Sequence, residues 1–356
     1  MQGRLSGDEV VVGGDARQRY YDSRGYGRPL DGNELALSRV EAAHLLFRGD
    51  LDSVDGMGFR EFFAAATGDG FGARFLVYAD LRSRGFYLSP ARADRVADPD
   101  GVDFVVYPRG KGPWDDAVAY RMCVVDERVP VPAADLGDVV LAVVDEESEI
   151  TYLATDRPAL DGATAYDPPV GVEAVLVDDR VVVWEPPADL HERGFYGQPL
   201  AGRDADGDAL QLSLVEAAYL ADVGSLRLTG AGDAAGGDTG DGEEAGGVDA
   251  LVERGRAVEG ERFDRRLAVY AALRDDGLVP KTGFKFGADF RVYDAVESVS
   301  DLGHSEYLVR VLPAGFTFEP RDLALDVRLA HGVRKQMVFA FPNDGVSWLG
   351  IRRLTP

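Results

Sequence analysis

LSLVEAAYLA, residues 212–221, restates LSRVEAAHLL, residues 37–46, and the restatement means that one folding unit is written twice in this chain. Three more pairs keep the same order. RGYGRPL (24–30) stands ahead of the first copy and RGFYGQPL (193–200) ahead of the second. FLVYADLRSRG (75–85) and LAVYAALRDDG (267–277) follow, and then DFVVY (103–107) and DFRVY (289–293). The offset changes from pair to pair, so the copies differ in their loops. A period of roughly 180 residues is far longer than a solenoid repeat, and each copy is expected to be a globular half.

Local signals agree in both halves. Ser38 with Glu41, and Ser213 with Glu216, have the spacing of a capping box that opens an Ala-rich helix. The segments 75–85 and 267–277 place apolar residues at helical spacing and end on Gly85 and Gly277, where a left-handed cap is expected. Apolar and alternating runs then predict strands: VDFVVYP, YRMCVVD, VVLAVVD and ITYLA in the first half, and DFRVY, EYLVRVL, QMVFAF and VSWLGI in the second. The expected fold is mixed α/β (α+β), a tandem duplication with a small N-terminal module and a sheet-bearing subdomain in each half. The divisions are placed at 1–72, 73–175, 176–255 and 256–356. The Pro-Pro segment 179–194 joins or immediately precedes the second copy, and the Gly/Asp-rich run 229–249 reads as a surface insertion.

Composition narrows the setting. The 356 residues include 62 acids and 38 bases, a formal charge of −24, with only four lysines. The acids are spread through segments that keep apolar periodicity, which argues against a disordered acidic tail. Molar salt fits this balance, because the Debye length falls to about 3 Å at 1 M and dense carboxylates then serve solubility. Cys123 is the only cysteine, which excludes an internal disulfide and a Cys-rich zinc site; its apolar neighbours predict a buried small hydrophobe. The start MQGRLSGDEVVVGG lacks a basic, apolar leader, and no apolar run approaches the roughly 18–20 residues that span a bilayer. A soluble cytoplasmic protein is expected.

The halves differ in their polar residues. The second carries GFKFGADFRVY (283–293), GHSEYLVRV (303–311) and VRLAHGVRK (327–335). Aligning Tyr120 with Tyr307 puts Ala117 at the place of His304, and aligning VVLAVV with QMVFAF puts Gly137 near Lys335. Fold maintenance alone does not sort a histidine and a lysine into one copy, so a site is expected in the second half.

Those three segments, strongest over 265–352, resemble the archaeal tRNA-splicing endonucleases, in the form that fuses two repeats in one chain and pairs as a homodimer. The resemblance implies a catalytic triad of Tyr293, His304 and Lys335 that cleaves precursor tRNA at a bulge–helix–bulge with no metal or cofactor. It implies 2′,3′-cyclic phosphate and 5′-hydroxyl ends. Arg328 matches an arginine that stacks on a bulge base, with Trp348 at the position of its partner from the other subunit. The loop at 145–149, with Asp145, Glu146, Glu147 and Glu149, matches an acidic loop that docks in the partner's catalytic half. The insertion and the short loop at 343–345 depart from the family pattern.

The chemistry stands on the residue types as well. Attack by a 2′-hydroxyl needs a base, an acid for the leaving oxygen, and positive charge on the phosphorane. An imidazole is the natural acid near neutral pH. A phenol is a poor base unless cations lower its pKa. Lysine supplies a compact point charge that suits a transient phosphate better than a planar guanidinium. Lys285 and Arg291 are further candidates for phosphate contact, with Arg328 and Arg334. His44, His191 and His331 read as structural, and no His/Asp/Glu cluster has metal-ligand spacing. Two other readings stay open: a non-catalytic RNA-binding or scaffold subunit of a splicing endonuclease, and a metal-dependent nuclease.

Overall fold

The computed structural model describes all residues except 67, 69, 201–208 and 230–246. Most of the run 229–249 therefore lies outside the described residues. The chain divides into two compact units: Met1–Asp156 with Thr317–Arg328 and Ile351–Pro356, and Arg157–Phe316 with Leu329–Gly350.

The first unit opens with a five-stranded sheet in the order Arg28–Pro29, Leu35–Ser38, Glu9–Val12, Gln2–Ser6, Ser53–Val54. Ser38 caps the helix Arg39–Phe47 as expected. Its hydroxyl accepts from the Glu41 N–H while the Glu41 carboxylate accepts from the Ser38 N–H at 2.8 Å. The helix Phe71–Ser83 ends on the left-handed Gly85, at φ +87°. The sheet that follows runs in chain order through Leu88–Pro90, Phe104–Val106, Tyr120–Asp126, Val140–Val144 and Ile150–Asp156. Its neighbours are antiparallel except Tyr120–Asp126 with Val140–Val144. The core packs the helices on that sheet, with Tyr78, Leu81, Val106, Met122 and Ala142 fully buried.

The second unit repeats the plan. Arg180–Val183, from the Pro-Pro segment, is a strand of its N-terminal sheet and pairs with Leu210–Ser213. Ser213 and Glu216 form the second capping box. The helix Glu261–Asp275 ends at the left-handed Gly277. The strands Val279–Thr282, Phe290–Tyr293, Tyr307–Val311 and Gln336–Pro342 then follow, and the strand Val346–Leu354 belongs to this unit up to Gly350. Tyr307–Val311 and Gln336–Pro342 are the parallel pair.

A parallel pair needs a crossover, and here the halves diverge. In the second copy the chain passes through the helix Pro320–Gly332, and in the first through a short 3₁₀ turn at Ala133–Asp135. One expectation needs correcting. Cys123 is half-buried rather than buried, because its strand has one face only partly covered. Burial still pushes its thiol up to about 11, with Asp103 and Asp135 adding to the shift. Among the described residues no helix is long and apolar enough to cross a membrane.

Candidate active site

Sheet register assembles the site. Val292 pairs with Tyr307 across the antiparallel edge, and Tyr307 pairs with Gln336 across the parallel one. One step beyond that rung come Tyr293, Glu306 and Lys335. The Glu306 N–H donates to the Val292 carbonyl and the Gln336 N–H to the Glu306 carbonyl. Adjacent strands lie about 4.8 Å apart, so Tyr293 and Lys335 flank Glu306 at one end of three neighbouring strands. His304 is two residues before Glu306, in the loop that enters the middle strand.

Each group is held differently. Tyr293 ends its strand and is only 4% exposed, yet no described residue hydrogen-bonds its hydroxyl. The Arg291 guanidinium lies 5.6 Å from its ring centroid, and the Phe195 ring meets it edge-on with centroids 5.7 Å apart. Lys335 follows a Schellman turn at the end of the helix Pro320–Gly332. Its N–H donates to the Ala330 carbonyl, the Arg334 N–H donates to that of His331, and Arg334 takes the left-handed position at φ +58°. That turn fixes where the lysine leaves the helix. Its ammonium donates to the Ser305 carbonyl, beside His304, and lies 6.0 Å from the Phe286 ring centroid. Burial lowers the Lys335 ammonium from its ordinary value; Glu306 opposes the shift and Arg291 adds to it. His304 is exposed on a loop whose preceding turn is pinned by Glu192, which accepts from the Ser300 N–H at 3.1 Å.

The other sequence candidates fall as follows. Lys285 is exposed in the 3₁₀ turn Phe284–Phe286, and the same turn supplies the ring beneath Lys335. Arg291 is beside Tyr293. Trp348 is half-buried against the core of the second unit. Arg328 is exposed in the first unit, lining a cavity of about 510 Å³ with Arg321, Arg353, Asp322, Thr151 and Leu153. Glu146, Glu147 and Glu149 are exposed, whereas Asp145 is half-buried and folds its own turn, accepting from the N–H groups of Glu147 and Glu149 at 2.9 and 2.8 Å. His44 and His191 hydrogen-bond with the Tyr26 hydroxyl and the Tyr196 carbonyl, which suits structural roles. Among the described residues no three His, Cys, Asp or Glu side chains cluster as metal ligands.

The first unit carries the same rung without the chemistry. Val106 pairs with Tyr120, and Met122 with Val140, so Tyr107, Ala119 and Gly137 stand where the second unit has Tyr293, Glu306 and Lys335. Ala117 stands for His304. The remaining Tyr107 is committed inward, its hydroxyl donating to Ser89 at 3.2 Å.

Sequence reasoning missed four contributors: Phe195, Glu306, Lys281 and Glu216. Lys281 and Glu216 form an ion pair at 2.5 Å, with each side chain 10% exposed. The rarity of lysine was a signal for Lys281.

Comparison with known proteins gives the family. Residues 263–348 match the catalytic C-terminal domain of the tRNA intron endonucleases, and residues 1–63 and 172–236 both match the N-terminal domain of that family. The chain is 61% identical to a tRNA-splicing endonuclease of Halobacterium salinarum and 59% identical to one of Natronomonas pharaonis, covering 100% of both chains in each case. It is 39% identical to one of Methanosarcina acetivorans over 99% of each chain. With both domains matched and relatives aligned from end to end, the chain belongs to the tRNA intron endonuclease family.

Proposed function

We propose that this endonuclease cleaves precursor tRNA at bulge–helix–bulge intron boundaries by attack of a ribose 2′-hydroxyl, without a metal ion. In this reading Tyr293 takes the 2′-hydroxyl proton and O2′ bonds to phosphorus. The P–O5′ bond then breaks and His304 donates its proton to the leaving O5′. Lys335 faces the charge that builds on the phosphorane. The products are a 2′,3′-cyclic phosphate and a 5′-hydroxyl. The observation that carries the reading is the asymmetry of the two rungs: in the second unit Tyr293 and Lys335 flank Glu306, two residues after His304, and the first unit has alanine and glycine at the places of His304 and Lys335.

Lys285, Arg291 and Arg328 are proposed to contact the RNA, with Trp348 offering a stacking surface. The chain is proposed to act as a homodimer whose acidic hairpin at 145–149 docks on the partner, and the four-part division at 72, 175 and 255 is kept as the proposed domain plan. The test is single-turnover cleavage of a bulged precursor tRNA in EDTA, with end analysis. Tyr293→Phe, His304→Ala and Lys335→Ala should each slow cleavage, on the order of 10²- to 10⁴-fold for the acid and base, with binding retained. Parental rates in all three variants would reject the triad. EDTA-sensitive cleavage would instead point to a metal-dependent nuclease, and absence of cleavage in the parent to a non-catalytic RNA-binding subunit.

A further inference from the structure

Phe195 stands at φ +51°, a left-handed conformation that bulky side chains rarely adopt because Cβ crowds the following carbonyl. The first unit puts glycine at the matching place, and the match is set by the flanking anchors. Arg82 lies 3.9 Å from the Tyr26 ring centroid and donates to the Arg24 carbonyl. Arg274 lies 3.9 Å from that of Tyr196 and donates to the Gly194 carbonyl. Between those anchors sit Gly25, at φ +67°, and Phe195. Glycine takes this conformation without steric cost, whereas phenylalanine keeps it only where its surroundings over-determine it.

Those surroundings are specific to the second unit. Lys281 donates to the carbonyls of Phe195 and Gly197, both at 3.1 Å, and pairs with Glu216. Its ammonium also lies 4.9 Å from the Phe195 ring centroid. Ser89 holds the register position of Lys281 in the first unit, where it accepts from Tyr107. The Phe195 ring is 1% exposed and meets Tyr293 at an interplanar angle of 62°, in an apolar cluster with Val279 and Val296. With Arg291 also against that ring, Tyr293 is packed by two groups whose positions in the first unit are held by Gly25 and Val105.

We propose that Phe195, clamped in its left-handed conformation by Lys281, is a positioning residue that fixes the Tyr293 ring so that its hydroxyl faces the reacting ribose. The inference rests on the reading of Tyr293 as a catalytic group. It makes the N-terminal module of the second repeat part of the active site's support, since Phe195 and Glu216 belong to that module while Tyr293 and Lys281 belong to the sheet.

The test is single-turnover cleavage and equilibrium binding of the same bulged precursor by the full chain at fixed KCl. Phe195→Gly removes the ring and restores the residue of the first unit. It should leave the Kd within about twofold and slow cleavage on the order of 10- to 100-fold, as expected for a misplaced reacting group. A purely structural role would lower binding and rate together, in step with the folded fraction. A folded Phe195→Gly chain that cleaves within twofold of the parent overturns the proposal. If that chain does not fold, Phe195→Leu decides, since it keeps apolar volume without the ring edge. A rate loss at unchanged Kd supports the proposal, and a parental rate overturns it. Tyr293→Phe is run alongside. If it cleaves at the parental rate, the reading of Tyr293 has failed; if it is slow and the Phe195 variants are not, only the present inference falls.

Discussion

Glu41 and Glu216 are the same capping-box residue in two electrostatic settings. Burial raises the Glu41 carboxyl above its ordinary value, and the N–H groups of Gly27 and Ser38 only partly oppose it. Burial acts on Glu216 as well, but Lys281 and the Ser213 donors outweigh it and hold that carboxyl low. Glu216 therefore contributes stability that is complete above pH about 4.5 and is lost as the pH falls through its depressed pKa. Lys281→Met strips the cation and leaves the carboxylate buried, which makes Glu216 resemble Glu41, with a raised pKa. The variant should lose about 3–5 kcal/mol at pH 7, typical of breaking a buried pair on one side. The raised carboxyl is costly while ionised and is relieved once protonated, so the deficit should shrink as the pH falls from 7 towards 5. Urea midpoints of the two chains at matched salt measure it, and a deficit that stays constant with pH would contradict the argument. The two capping boxes were legible in the sequence, but the ion pair that separates them was not. Lys281 stood out only as one of four lysines, because its partner at Glu216 is remote in the chain and only the fold brings the two together.

At the scale of elements, what the sequence showed is what its neighbours determine. Ser38 and Glu41 are three residues apart and define a helix start without help, and Gly85 and Gly277 end their helices for reasons local to each turn. The rung of Tyr293, Glu306 and Lys335 is different. Periodicity finds its three strands but not their register, and family likeness rather than spacing picked out the triad. Glu306 went unnoticed because nothing local distinguishes it from other surface acids. The hairpin at 145–149 was legible as acidic, but not in its division of labour. Asp145 builds the turn and Glu146, itself exposed, pairs with Arg128, whereas Glu147 and Glu149 have no side-chain ion pair among the described residues. If this element docks on a second copy, Glu147→Lys with Glu149→Lys should weaken the dimer by about tenfold or more while leaving the turn intact, since charges facing a complementary surface become repulsive when reversed. Sedimentation velocity at 1 M KCl reads the outcome. A dimer of unchanged affinity would remove the hairpin from the interface.

For the whole molecule the decisive quantity is the formal charge of −24, and it sets two salt dependences against each other. Self-repulsion among the carboxylates destabilises the compact state at low ionic strength and is screened as salt rises. The full-length relatives at 61% and 59% identity come from salt-loving archaea, in keeping with a fold that relies on that screening. RNA binding has the opposite slope. Each phosphate neutralised by the proposed contacts Lys285, Arg291 and Arg328 would release a counterion, which predicts an affinity that falls steeply with salt. Base stacking and shape readout must then carry more of the binding at high salt than they do in an ordinary nuclease. The melting temperature should therefore rise steadily as KCl goes from 0.1 to 3 M, while cleavage at subsaturating enzyme should pass through a maximum. Below the maximum the limit is the folded fraction, and above it the limit is affinity. Saturating enzyme should flatten the high-salt side and leave the low-salt side in place. Cleavage that rises as far as 3 M at subsaturating enzyme would mean that phosphate contacts contribute little, and a flat melting temperature would mean that the acidic surface does not govern the fold.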